Sequence, residues 1–130
     1  MCIRDRRGIA ADLRRGNVLV MPYEDNHFDT VLLISILEHL RPAELVRAFA
    51  EIRRVLRPGG QVVYGVPIER RLMVFMFRML GYDIRQHHFS TEKDVAGAAG
   101  AALKKVSVEA MGSFPPGFGN VYAVGEFVKE

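Results

Sequence analysis

Few residues of this chain are suited to chemistry, and three of them are histidines. His39, within Glu38-His39-Leu40, is of the residue type most often used as a general base, so it is the candidate catalytic base. The plainer alternative, in which the ring hydrogen-bonds backbone and holds a loop, weighs more. His87 and His88, followed by Phe89 and Ser90, fall on a loop from which a substrate could be touched. The three histidines together invite a metal site, but no HxxxH or CxxC spacing supports one, and no metal ligand is assigned. Neighbouring histidines on an extended segment also point opposite ways, so at most one serves a given site. Ser35 and Ile36 end the apolar run Thr30–Ile34, and open α/β sheets bind ligands beyond the C-terminal ends of their strands. At the start of that run stand Phe28, read as packing, and Asp29, read either as a turn clamp or as a ligand residue.

These residues need a scaffold, and the surrounding pattern supplies one. Thr30–Ile34 is continuous, apolar and partly β-branched, the signature of a strand covered on both faces, as in a parallel sheet flanked by helices. Pro42 suits a first helical position, and Leu45, Ala48, Phe49, Ile52, Val55 and Leu56 recur along one helical face. Glu44, Arg47, Glu51, Arg53 and Arg54 take the other face. Pro58-Gly59-Gly60 is expected to stop this helix and form a turn that touches no ligand. Gln61–Val66 then forms a second buried strand, and strand, helix and strand of this length make a right-handed parallel crossover. Upstream, Arg7 and Gly8 read as the end of a helix and 9–15 as a short strand. Glu24, Asp25 and Asn26 favour a turn.

Downstream, Leu72–Leu80 is almost wholly apolar apart from Arg78. It is read first as a helix packed on the sheet, with a lid over an apolar substrate or an interfacial membrane helix as alternatives. Ser90 or Thr91 can cap a further helix through Val95, Ala98, Ala99 and Ala102. Val106–Ala110 alternates like a half-buried strand, and a Pro/Gly-rich turn joins it to Val121–Val128 as a hairpin.

The order of motifs from Gly16 to Pro67 resembles class I S-adenosylmethionine-dependent methyltransferases, in particular their small-molecule, type 11 branch. Gly16-Asn17-Val18 stands where that family has its Gly-Asp step, Phe28-Asp29 resembles its FD pair, and Leu37-Glu38-His39-Leu40 its LEHL segment. The resemblance implies S-adenosyl-L-methionine as cofactor. Asn17 would accept from the adenine amino group and the Val18 backbone would reach a ring nitrogen. Ser35 and Ile36 would line the methionine end, and His87 and His88 would sit on the substrate side. Asp12 is a second candidate for the acidic position. The family's Gly-rich cofactor loop is absent, so the chain reads as the C-terminal portion of a Rossmann-like sheet: parallel strands, flanking helices and a terminal antiparallel hairpin. Its expected partner is the N-terminal half of the same domain. Within one domain over 1–130, 16–67 carries the match, 68–104 the lid or substrate-side helices, and 105–130 the hairpin.

Composition narrows the function classes. With 49% hydrophobic residues in 130, a core is affordable. A net charge of +3 is too small and too scattered to imply nucleic acid. One cysteine, Cys2, excludes an internal disulfide framework and suits a reducing cytoplasm. No run spans a bilayer, which leaves peripheral membrane contact through Leu72–Leu80 as the open membrane reading. The expected activity is methyl transfer to a small or lipid-like acceptor. The alternatives are a non-catalytic Rossmann-like remnant or partner-binding half-domain, and a dinucleotide dehydrogenase, which lacks its Gly-rich fingerprint here.

Overall fold

The computed structural model describes residues 2–4, 8, 10–68, 71–83, 88–112 and 119–130. Two short strands, β1 (Cys2–Arg4) and β2 (Ala10–Asp12), pair antiparallel as a sheet of their own. The remaining elements are β3 (Phe28–Ile34), a 3-10 turn (Leu37–His39), α1 (Pro42–Val55), β4 (Leu56–Pro67), α2 (Arg71–Met79), α3 (Glu92–Ala102), β5 (Lys104–Gly112) and β6 (Asn120–Val128). The four later strands form one sheet in the order β3-β4-β6-β5. β3 and β4 run parallel across the α1 crossover, and β6 is antiparallel to both β4 and β5. The α/β architecture with a terminal hairpin is thus the expected one.

α1 follows from its sequence. Pro42 opens it, the Glu44 carboxylate accepts the Arg41 N–H at 2.8 Å, and the apolar stripe Leu45, Phe49, Ile52 and Val55 is wholly buried. α3 begins with Thr91, whose hydroxyl accepts from the Asp94 N–H while Asp94 Oδ2 accepts the Thr91 N–H at 2.8 Å. Both helices cover the same sheet face, where Leu33, Val62, Tyr64, Val66, Ala123 and Phe127 complete the core. Tyr64 stacks on Phe127 and meets Phe49 edge-on. Its hydroxyl is buried without a hydrogen-bond partner among the described residues, and burial pushes its pKa up to about 12.

Four expectations need correction. The helix ends at Val55, and Leu56 already pairs with Phe28 as the first residue of β4. Pro58-Gly59-Gly60 therefore bulges within a strand: register jumps from Phe28↔Leu56 to Thr30↔Gln61, and Gly59 takes φ +78, a conformation costly for residues with a Cβ. Second, β3 is not covered on both faces. Leu33 is buried, but Leu32 and Ile34 are 64% and 54% exposed, because both long helices lie on one side. Third, Leu72–Leu80 is not a packed core helix: Phe75, Met76, Phe77, Met79 and Leu80 are exposed. Fourth, the expected strand over 9–15 is reduced to β2, and Gly8 lies between two strands at φ +77 rather than at a helix end. Arg7 and Ile9 lie outside the described residues.

The charged outer face of α1 carries a further feature. Glu51 and Arg54 form a part-buried hub there: Arg54 donates to both Glu51 oxygens, to Asp25 at 2.6 Å, and to the Tyr23 and Met21 carbonyls, while Glu51 accepts the Met21 N–H. The Arg54 hydrogen bonds hold the Glu51 carboxyl below its usual range. The hub fixes the segment that leads from Asn17 into β3.

Candidate functional site

Beyond the C-terminal end of β3, the chain departs from regular structure at one residue. Ser35 has φ 51, a left-handed conformation that L-residues with a side chain rarely adopt. It is held from two directions: its N–H donates to the Gly65 carbonyl at 2.8 Å, and its Oγ shares a 3.0 Å hydrogen bond with the Tyr122 hydroxyl. Tyr122 belongs to β6, two strands away, so this bond crosses β4. The crossing is open only because residue 65 is glycine, where a Cβ would lie 2.5 Å from the Tyr122 ring. Tyr122 and Gly65 escaped the sequence reading, although a glycine inside a buried apolar strand is itself a sign of close approach.

Ile36 follows, exposed, and precedes the Leu37–His39 turn, whose N–H groups at His39 and Leu40 bond to the Ile36 and Leu37 carbonyls. Leu37 is fully buried and anchors the turn. Glu38 is buried as well, at 3% exposure, which its residue type does not suggest. His39 is half exposed, with Nε2 4.0 Å from Glu38 Oε1. Its ring meets that of His88 edge-on, with centroids 5.0 Å apart. The two histidines, far apart in sequence, thus converge. His87 lies outside the described residues.

The segment that brings His88 in is tied down tightly. The Phe89 and Ser90 N–H groups both donate to the Glu38 carbonyl, at 2.9 and 3.2 Å, and Ser90 Oγ donates to the Leu40 carbonyl at 2.5 Å. The Arg41 guanidinium lies over the Phe89 ring. Ser90 therefore clamps the loop, and Thr91 alone caps α3.

Asn17 sits in a tight turn bridged to Val20, and its Oδ1 accepts the Leu19 N–H at 2.9 Å. The carbonyl oxygen keeps a second lone pair, so a turn role and a ligand role are chemically compatible. Val18 packs partly against the core. Two runner-up residues fall elsewhere. Asp29 begins β3, at the end opposite Ser35, and pairs with Arg57 at 3.0 Å. Asp12 ends β2 and pairs with Arg14.

Residues 3–64 match the family described as methyltransferase domain. The chain is 43% identical over 51 residues to a demethylmenaquinone methyltransferase of Lactiplantibacillus plantarum, covering 39% of this chain and 21% of that protein. It is 39% identical over 64 residues to a sterol 24-C-methyltransferase of Gibberella zeae, covering 48% of this chain and 16% of that protein. In fold it superposes on the N-methyltransferase NodS from Bradyrhizobium japonicum in complex with S-adenosyl-L-homocysteine. The TM-score is 0.61 at 17% identity, with 88% of this chain and 52% of that one covered. The sheet and these matches resemble those of S-adenosylmethionine-dependent methyltransferases, with the family match carried by residues 3–64, just under half of the chain. The matched segments span 16% to 35% of the length of the curated relatives.

Proposed function

We propose that this chain serves S-adenosylmethionine-dependent methyl transfer to a small, apolar or lipid-like acceptor. The observation that carries this reading is Ser35: a strained, doubly anchored residue at the strand end where α/β sheets bind ligands, within a sheet that resembles methyltransferases. The donor set suits such a cofactor, since Asn17 offers an amide acceptor, and Ser35 and Ile36 are exposed beyond β3. When bound, S-adenosylmethionine supplies a methyl group on a sulfonium that is already a good leaving group.

Asn17 and the Val18 backbone are assigned to the adenine, and Ser35 and Ile36 to the methionine end. Because the leaving group is good, the residues act chiefly by positioning the acceptor in line and excluding water. His39, with the His87–His88 segment, is assigned to the acceptor side. There it orients the loop, and it is placed to take the acceptor's proton where the acceptor carries one. The exposed face of α2 is assigned as an apolar wall for the acceptor. A small acceptor fits the mild charge, and a cytosolic setting fits the single cysteine.

β3 has β4 as its sole strand partner among the described residues, which favours completion of the sheet along the free edge by further strands before cofactor is held tightly. The test is a titration of the isotopically labelled chain with S-adenosylhomocysteine, followed by amide chemical shifts. The expected result is weak binding with shifts clustered at Val18, Ser35 and Ile36, lost in Ser35→Trp. Shifts confined to the Asp29 end of β3 would overturn the assignment.

A further inference from the structure

We propose that Glu38, His39 and His88 form a binding site for one divalent transition-metal ion of the zinc type. One ligand atom from each of the three residues lies within 4.8 Å of the others. The second, independent observation is the state of Glu38. Its residue is 3% exposed, and Oε2 is buried with no hydrogen-bond partner among the described residues. Oε1 stands 4.0 Å from His39 Nε2, too far for a hydrogen bond. A carboxylate withdrawn from water with an unsatisfied oxygen calls for a compensating positive charge. The two groups brought within 4.8 Å of it are imidazoles, side chains that commonly bind metals.

The donor set selects the ion. Two imidazole nitrogens with one carboxylate oxygen suit zinc and its first-row neighbours, whereas calcium and magnesium prefer oxygen alone. Tetrahedral coordination at about 2.0–2.2 Å from the metal places ligand atoms roughly 3.3–3.5 Å apart. The three residues must therefore draw together from their present spacing. Glu38 is buried, whereas His39 is half exposed and His88 partly so, so the two imidazoles are the members that would move. Three protein ligands leave a fourth position for water or a ligand oxygen.

The backbone frame is already assembled. Phe89 and Ser90 bond to the Glu38 carbonyl, and Ser90 Oγ bonds to Leu40, so the ligand-bearing turn and loop are held residue against residue. Bound metal would join the loop before α3 to the turn after β3, at the sheet end that carries Ser35. The sequence raised a metal site from the histidines but not Glu38, because the members combine an adjacent pair with a residue about fifty positions away and match no known ligand spacing. It stands whether or not the chain binds S-adenosylmethionine.

The test uses the full chain without an affinity tag, stripped with a chelator and titrated calorimetrically with zinc chloride alone, and in parallel with cobalt(II) followed by visible absorption. One ion per chain is expected, with the intense cobalt bands of low-coordinate nitrogen and oxygen ligation. His88→Ala should weaken zinc binding by at least the roughly 10–100-fold that follows loss of a supporting residue around a metal. His27→Ala, at the opposite end of β3, should leave binding unchanged. Circular dichroism confirms that both variants fold, and His39→Ala provides a second ligand deletion should Glu38→Gln fail to fold. Absence of saturable binding overturns the proposal, as does affinity that survives His88→Ala or falls only in His27→Ala.

Discussion

On one face of the sheet Leu33, Tyr64 and Phe127 are sealed beneath α1 and α3. On the other, one residue along the same strand, Leu32 and Ile34 stand in solvent. Both faces of β3 are apolar, and that double pattern is what a strand buried on two sides requires. Among the described residues, α1 and α3 provide the cover for one side. The covered face derives stability from packing, whereas the open face carries the anchored end of β3 and its cross-sheet hydrogen bond. The pattern of a strand therefore reports the burial for which it is suited, and not the burial that its own chain provides.

The largest effect is expected on the covered face. Phe49→Ala should cost about 3–5 kcal/mol, read by chemical denaturation, because it empties the centre of the core. A loss below 1 kcal/mol would mean that the α1 face is loosely packed and that the contrast between the faces is weak.

Acid should act next, and through the helix side. Arg54 holds Glu51 below the ordinary glutamate pKa, and the Thr91 backbone N–H does the same for Asp94. Each carboxylate thus stabilises the fold fully above its unfolded pKa, about 4.3 and 3.9, and the contribution is lost as pH falls through the lower folded value. Melting temperature should drop below about pH 4.5, and the drop should be shallower in Glu51→Gln. Thr91→Ala should cost about 1 kcal/mol through the lost α3 cap.

Two tyrosines sharpen the comparison. Tyr122→Phe, on the open face, removes the bond to Ser35 and should cost about 0.5–1.5 kcal/mol. Tyr64→Phe, on the covered face, deletes a hydroxyl with no partner among the described residues and should be neutral or stabilising. The reverse order in thermal melts would mean that the Tyr64 hydroxyl is satisfied and the Ser35 bond is idle. The smallest stability change is expected at Leu32→Lys, within about 0.5 kcal/mol. That variant should nevertheless reduce self-association in sedimentation, since it places charge on an exposed apolar edge strand.

Much of this arrangement was legible in the sequence. The apolar spacing from Leu45 to Val55 defined α1, and β-branched runs located β3, β4 and the β5–β6 hairpin, because periodicity records burial directly. The bulge at Gly59 was misplaced, since Pro-Gly-Gly ends a helix and bends a strand with equal ease. The exposure of α2 could not be read, because its residues would look the same packed or bare. Among the candidate residues, Ser35 and Ile36 were singled out from their place after a strand. Tyr122 and Glu38 were not. One acts across a neighbouring strand through a glycine, and the other is a charged residue in a core position, so neither signals its role through its immediate neighbours.

The strand order β3-β4-β6-β5 also bears on how the chain is made. β4 takes β3 as one neighbour and β6 as the other, and β6 pairs Val128 with Gln61. During synthesis the β3–α1–β4 unit can close early, but the second edge of β4 waits until residues 120–128 have left the ribosome. Roughly 60 residues separate the two, which at about 5–20 residues per second leaves that edge bare for several seconds. A nascent chain stalled before residue 120 should therefore engage chaperones that one extended past Val128 no longer binds.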